Sequence, residues 1–140
     1  MSFLKLFQST KKKTILFVED DLETIEQYKN LIGSDKELNE KFDFVYASNK
    51  KEFYQYFPQC DGVVSDYYMG QLRFEEVWIA CEKTKPLTLI SGEIKKVWPG
   101  PTAYKPLSFK NLKKSIIDMM DSGKKAPEYI KKTTATKAAA

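Results

Sequence analysis

At 140 residues the chain is the size of one domain and long enough to bury a core without disulfide or metal support. Its 42% hydrophobic and 14% aromatic content argues for a packed globule, and no apolar run approaches the ~20 residues that span a bilayer. The net charge of +4 is unevenly spread: Lys5, Lys11, Lys12 and Lys13 give the first segment +4, residues 124–140 carry another +4, and the body between is −4, which excludes the contiguous basic face of a nucleic-acid-binding fold.

Residues 1–12 form an N-terminal extension in which Phe3, Leu4, Leu6 and Phe7 share a helical face. It either extends or covers the first strand, or docks on a membrane or partner. It is too short for a secretory apolar region and its positive charges follow the apolar residues, so a cytoplasmic location is expected. Thr14-Ile-Leu-Phe-Val18 reads as a strand buried on both faces, ending in Glu19-Asp20-Asp21. From Leu22, the residues Ile25, Tyr28, Leu31 and Ile32 recur at helical spacing until Gly33 offers a stop. Phe42 to Ala47 predicts a second strand, Ser48 an N-cap, and Lys50 to Tyr56 a short helix. Gly62 to Asp66 is a third strand, Phe74 to Glu82 a helix, Leu87 to Ile90 a fourth strand and Thr102 to Tyr104 a fifth. Ser108 caps a last helix through Met120, with Leu112, Ile116, Ile117 and Met120 on one face. Residues 124–140 read as a basic, disordered tail, either a solvated end or an electrostatic contact for acidic partners.

Five strands alternating with helices imply right-handed crossovers and a doubly wound α/β domain over residues 13–123. With strand order 2-1-3-4-5, ligands collect at the carboxyl ends of the strands, between strands one and three. Glu19, Asp20, Asp66, Ser91 and Lys105 all fall on that rim. Three converging carboxylates repel unless a hard cation neutralises them, and Mg²⁺ takes one or two carboxylates with waters and phosphate oxygens. The chain has no histidine, so the usual metal ligand and general base are missing and any phosphohistidine must come from another protein. Cys60 and Cys81 form neither a disulfide framework nor a zinc pattern.

Ile15-Leu-Phe-Val-Glu-Asp-Asp21, Val63-Val-Ser-Asp-Tyr-Tyr-Met69, Leu87-Thr-Leu-Ile-Ser91 and Tyr104-Lys-Pro106, in that order, resemble the receiver domain of bacterial two-component response regulators over residues 13–122. The resemblance implies a flavodoxin-like fold and a stand-alone, non-enzymatic regulator that takes a phosphoryl group on Asp66 from a sensor histidine kinase or phosphotransfer protein and signals through a further protein. It implies Mg²⁺ held by Asp20, Asp66 and the Tyr68 carbonyl, with Glu19 acting through water. It also implies that Ser91 and Lys105 contact the phosphoryl group and that Pro106 takes the family's cis-proline position.

The sequence departs from the family in four places. Only 13 residues separate Ser91 from Lys105, and Trp98-Pro-Gly-Pro101 halts a helix, so the fourth crossover helix should be shortened or missing. The usual aromatic on the fifth strand is Thr102, a place that either Tyr104 or Trp98 is expected to fill. Gly70 replaces the usual proline after Met69. Tyr68 and Glu93 occupy positions that control water access to an acyl phosphate, which predicts a long-lived phosphoryl state. The shortened crossover keeps a second reading open, a phosphorylation-independent interaction module on the same fold. No helix-turn-helix accompanies the domain, so direct DNA binding is not expected. A metal phosphatase of another fold would need an Asp-x-Asp nucleophile after the first strand, which is missing.

Overall fold

The computed structural model describes residues 12–67, 69–95 and 97–129. Five strands form one parallel sheet: β1 (Lys13–Val18), β2 (Phe42–Ala47), β3 (Gly62–Asp66), β4 (Leu87–Ser91) and β5 (Thr102–Tyr104), in the order β2-β1-β3-β4-β5. The helices are α1 (Leu22–Gly33), α2 (Lys36–Lys41), α3 (Lys50–Tyr56), α4 (Phe74–Cys81) and α5 (Phe109–Ser122), with a 3₁₀ turn at Phe57–Gln59. The five-stranded doubly wound fold and its strand order are those expected from the sequence.

Alternation along each strand sorts the core into two layers. Leu16, Val18, Val63, Leu87 and Leu89 face Phe53 of α3 and Phe74, Val77 and Trp78 of α4. Ile15, Phe17, Val64, Ile90 and Ala103 face Tyr28 and Ile32 of α1 and Leu112, Ile116 and Met119 of α5. Because both faces are covered, β3 and β4 are buried at every residue, the polar Ser65, Asp66, Thr88 and Ser91 included.

Local chemistry sets the helix starts. Asp21, Asp35, Asn49 and Ser108 each accept a hydrogen bond from a backbone amide of the first turn they precede. The cap of α3 is therefore Asn49, one residue after the expected Ser48. Ser48 instead donates its amide and hydroxyl to Glu52, both at 2.7 Å, closing a variant capping box. The helix α2 was not anticipated; it buries Leu38, and Lys113 of α5 reaches across to Asp35 and Glu37 beside it. On α1 the expected apolar face is narrower, since Leu22 is 66% and Leu31 46% exposed. On α5, Met119 is buried, whereas Ile117 and Met120 are only partly so.

Among the described residues no helix joins β4 to β5, as the spacing predicts. The link is instead pinned by Trp98, whose indole is buried against Phe74 and Trp78 and donates from Nε1 to the Pro101 carbonyl at 3.0 Å. Gly100 lies under that indole, where a Cβ would overlap the ring.

Residues 124–129, expected to belong to the tail, make ordered contacts. They lie against the end of α4: Ala126 is buried, its amide donates to the Lys85 carbonyl and its carbonyl accepts from the Lys83 amide, both at 2.9 Å. Trp78 Nε1 donates to the Pro127 carbonyl and the Tyr129 amide to Glu82, both at 2.7 Å. The expectations for residues 1–11 and 130–140 lie outside the described residues. No described helix is long and apolar enough to cross a membrane.

Candidate functional site

The acidic triplet after β1 divides into three different roles. The Glu19 amide continues the β1–β2 ladder by donating to the Ala47 carbonyl at 3.0 Å, and its side chain is buried. Asp20 is exposed, beside Gly70, where an added Cβ would lie 3.5 Å from Asp20 Oδ2. Gly70 has φ +57°, a conformation that glycine adopts without the strain other residues meet. Asp21 turns away to cap α1.

Asp66 ends β3 and is almost fully buried. Its partner comes from β5: the Lys105 amide donates to the Ser91 carbonyl at 2.9 Å, which fixes the backbone where β4 and β5 end. From there Lys105 Nζ reaches Asp66 Oδ1 at 2.9 Å. The Lys105–Pro106 peptide is cis, as the resemblance implies.

Glu19 is coupled to this pair through its charge. Burial first, and then the Asp66 charge, push the Glu19 carboxyl up to about 7, against the Asp21 backbone amide and Lys105, which lower it. The Tyr28 hydroxyl on α1 is also raised, chiefly by burial and then by Glu19 and Asp66. Two carboxyl groups, Glu19 and Asp66, thus share one rim with the Lys105 ammonium.

Ser91 ends β4 at the same rim, but its hydroxyl is engaged elsewhere. It donates to the Glu93 carbonyl at 2.8 Å and accepts from the Glu93 amide at 3.2 Å. The structure therefore brings Glu19, Asp66 and Lys105 into contact or electrostatic reach, with Asp20 and Ser91 on the border. Tyr68 lies outside the described residues. Trp98 packs in the core under α4, and Tyr104 is 51% exposed. Sequence reasoning missed Lys95, whose ammonium pairs with Glu93 at 2.8 Å and sits 4.1 Å from the Tyr67 ring centroid.

A hard divalent cation suits this donor set, because Glu19 and Asp66 already repel and all the available atoms are oxygens. Among the described residues no three acidic, cysteine or histidine side chains are grouped closely enough to hold a metal by themselves, so waters and carbonyl oxygens would complete the shell.

The signal receiver domain of an HD domain-containing protein from Pseudomonas fluorescens Pf-5 superimposes with a TM-score of 0.68 at 12% identity, covering 81% of this chain and 98% of that one. The chain has the receiver fold. Chemotaxis protein CheY4 of Vibrio cholerae gives a TM-score of 0.63 at 15% identity, covering 78% of this chain and 99% of that one. Full-length FixJ from B. japonicum gives 0.64 at 19% identity, with 82% of this chain matched to 61% of that chain. The sequence matches no protein-family model and no curated protein. The receiver fold is thus shared with these structures at identities of 12%, 15% and 19%.

Proposed function

We propose that this chain is a receiver in two-component phosphorelay signalling, taking a phosphoryl group on Asp66 from a phosphohistidine of a sensor kinase or phosphotransfer protein. The observation that carries the reading is Lys105 Nζ at 2.9 Å from the buried Asp66 carboxylate, with buried Glu19 beside it, on the receiver fold.

A carboxylate oxygen of Asp66 attacks the phosphorus in line, the phosphorus–nitrogen bond breaks, and the imidazole of the donor protein leaves with the electron pair. An acyl phosphate on Asp66 results. Lys105 offers fixed positive charge to the phosphoryl oxygens, and Ser91 at the end of β4 offers a hydroxyl donor. Asp20, Asp66 and the Tyr68 carbonyl would hold Mg²⁺, with Glu19 acting through water. When bound, the ion neutralises charge on the carboxylates and the transferring group. The chain itself is a phosphoryl acceptor rather than a turnover enzyme, works in the cytoplasm and passes its signal to a protein partner.

The test is intact-mass measurement after incubation with Mg²⁺ and acetyl phosphate. Wild type should gain one phosphoryl group, while Asp66→Ala, or wild type with EDTA in place of Mg²⁺, should gain none. An unmodified wild type would favour a phosphorylation-independent interaction module on the same fold.

A further inference from the structure

We infer that the phosphoryl state of Asp66 is read by the C-terminal segment 124–129, through a column of aromatic rings running from Tyr67 to Tyr129. This rests on the phosphoacceptor reading of Asp66 and names how that site is read.

The column is continuous. Tyr67, the residue after Asp66, meets Phe74 at 5.8 Å between ring centroids, and Phe74 meets Trp98 at 5.3 Å. Trp98 meets Trp78 at 4.8 Å, and Trp78 meets Tyr129 at 4.9 Å. The last three contacts are edge-to-face, with interplanar angles of 85°, 83° and 79°, a geometry that a shift of one ring disturbs in the next.

At the near end the column is tied to the site by Ser91. Its hydroxyl holds the Glu93 backbone from both sides, Glu93 pairs with Lys95, and Lys95 covers the Tyr67 ring. A serine hydroxyl has one proton to donate. Donating it to a phosphoryl oxygen on Asp66 withdraws it from the Glu93 carbonyl, so the loop that carries Lys95 must reset. This gives the column two alternatives, chosen by the state of Asp66, rather than a gradual strain.

At the far end, Trp78 is part of what holds the segment. Its Nε1 donates to Pro127 and its ring packs on Tyr129, so a turn of that indole loosens both contacts together. The route bypasses β5, whose Tyr104 is exposed, and uses Trp98, which the missing crossover helix leaves free to enter the core.

The experiment uses the full chain with Mg²⁺ and acetyl phosphate, following intact mass, tryptophan emission and amide exchange. Both tryptophans, Trp78 and Trp98, lie in the column, so emission reports on it directly. Phosphorylated wild type should shift its emission and exchange the Ala126 and Tyr129 amides about tenfold faster, the expected sign of local release. Trp98→Leu and Lys95→Gln should gain the same mass without the faster exchange; Lys95→Gln leaves the core intact if Trp98→Leu fails to fold. A mass gain in wild type with emission and exchange unmoved, or equal acceleration in Lys95→Gln, overturns the column and leaves the Asp66 reading standing. No mass gain in wild type overturns the Asp66 reading, and the column with it.

Discussion

The indole of Trp98 stands edge-on to that of Trp78, with ring centroids 4.8 Å apart and planes at 83°. Trp98 holds this position by folding back over Gly100, so glycine there is a packing requirement rather than a turn requirement. Gly100→Ala should cost about 1–3 kcal/mol, the usual penalty for forcing extra volume into a packed core. Urea unfolding measures it. A wild-type midpoint in the variant would show that the Trp98 loop has room to yield.

Among the described residues, Lys105 is the ammonium that contacts Asp66. Lys105→Ala should slow phosphoryl uptake from acetyl phosphate about 100-fold, in the range found when one preorganised electrostatic donor is removed. Lys105→Arg should recover only part of the rate, because a planar guanidinium does not reproduce a compact point charge. Time courses of intact mass distinguish the variants, and uptake at the wild-type rate in Lys105→Ala would count against its role.

Glu52 supplies a pH-dependent contribution to stability. The Ser48 amide, and then its hydroxyl, hold the Glu52 carboxyl below the ordinary glutamate range. A depressed folded value means that the contribution is complete above the unfolded pKa and is lost as pH falls through the folded one. Wild type should exceed Glu52→Gln by about 1 kcal/mol or less at neutral pH, the scale of a capping interaction, and the gap should close in acid. Denaturant titrations at neutral and acidic pH check this; a gap that widens in acid would refute it.

Both thiols should be inert in the native protein. Cys60 and Cys81 are buried, and burial raises both above the ordinary thiol value, with Lys85 only partly opposing it. Reaction with an aromatic disulfide reagent should be at least about 100-fold slower without denaturant than with it, because labelling must wait for opening. Prompt labelling of native protein would place a thiol nearer the surface than the fold does.

The features legible in the sequence are those that local chemistry dictates. Buried strands such as Val63–Val64 announce themselves as apolar runs, and Asp66 and Lys105 stand where such runs stop. The helix Lys36–Lys41 was hidden because it buries one residue, Leu38, and depends on the Asp35 cap and on Lys113 from a distant helix. Trp98-Pro-Gly-Pro101 is correctly a break in helix, but its sequence does not say that the tryptophan enters the core, since that depends on space beside Trp78. Lys124 and Lys125 disguise the segment around Ala126 as a solvated tail, although its hydrogen-bond partners at Lys83 and Lys85 lie some 40 residues earlier. Ser91 ends β4; that its hydroxyl binds Glu93 is a choice of rotamer that no spacing reveals.

The strand β5 is three residues long and, among the described residues, pairs on one side alone, with β4. Lys105 hangs from the end of this least-supported strand, while Asp66 ends a strand paired on both sides. Amide exchange should therefore be slower around Asp66 than at the edge strand from which its counter-ion comes. Parting Asp66 from its lysine asks only that one sheet edge open, not that the domain unfold.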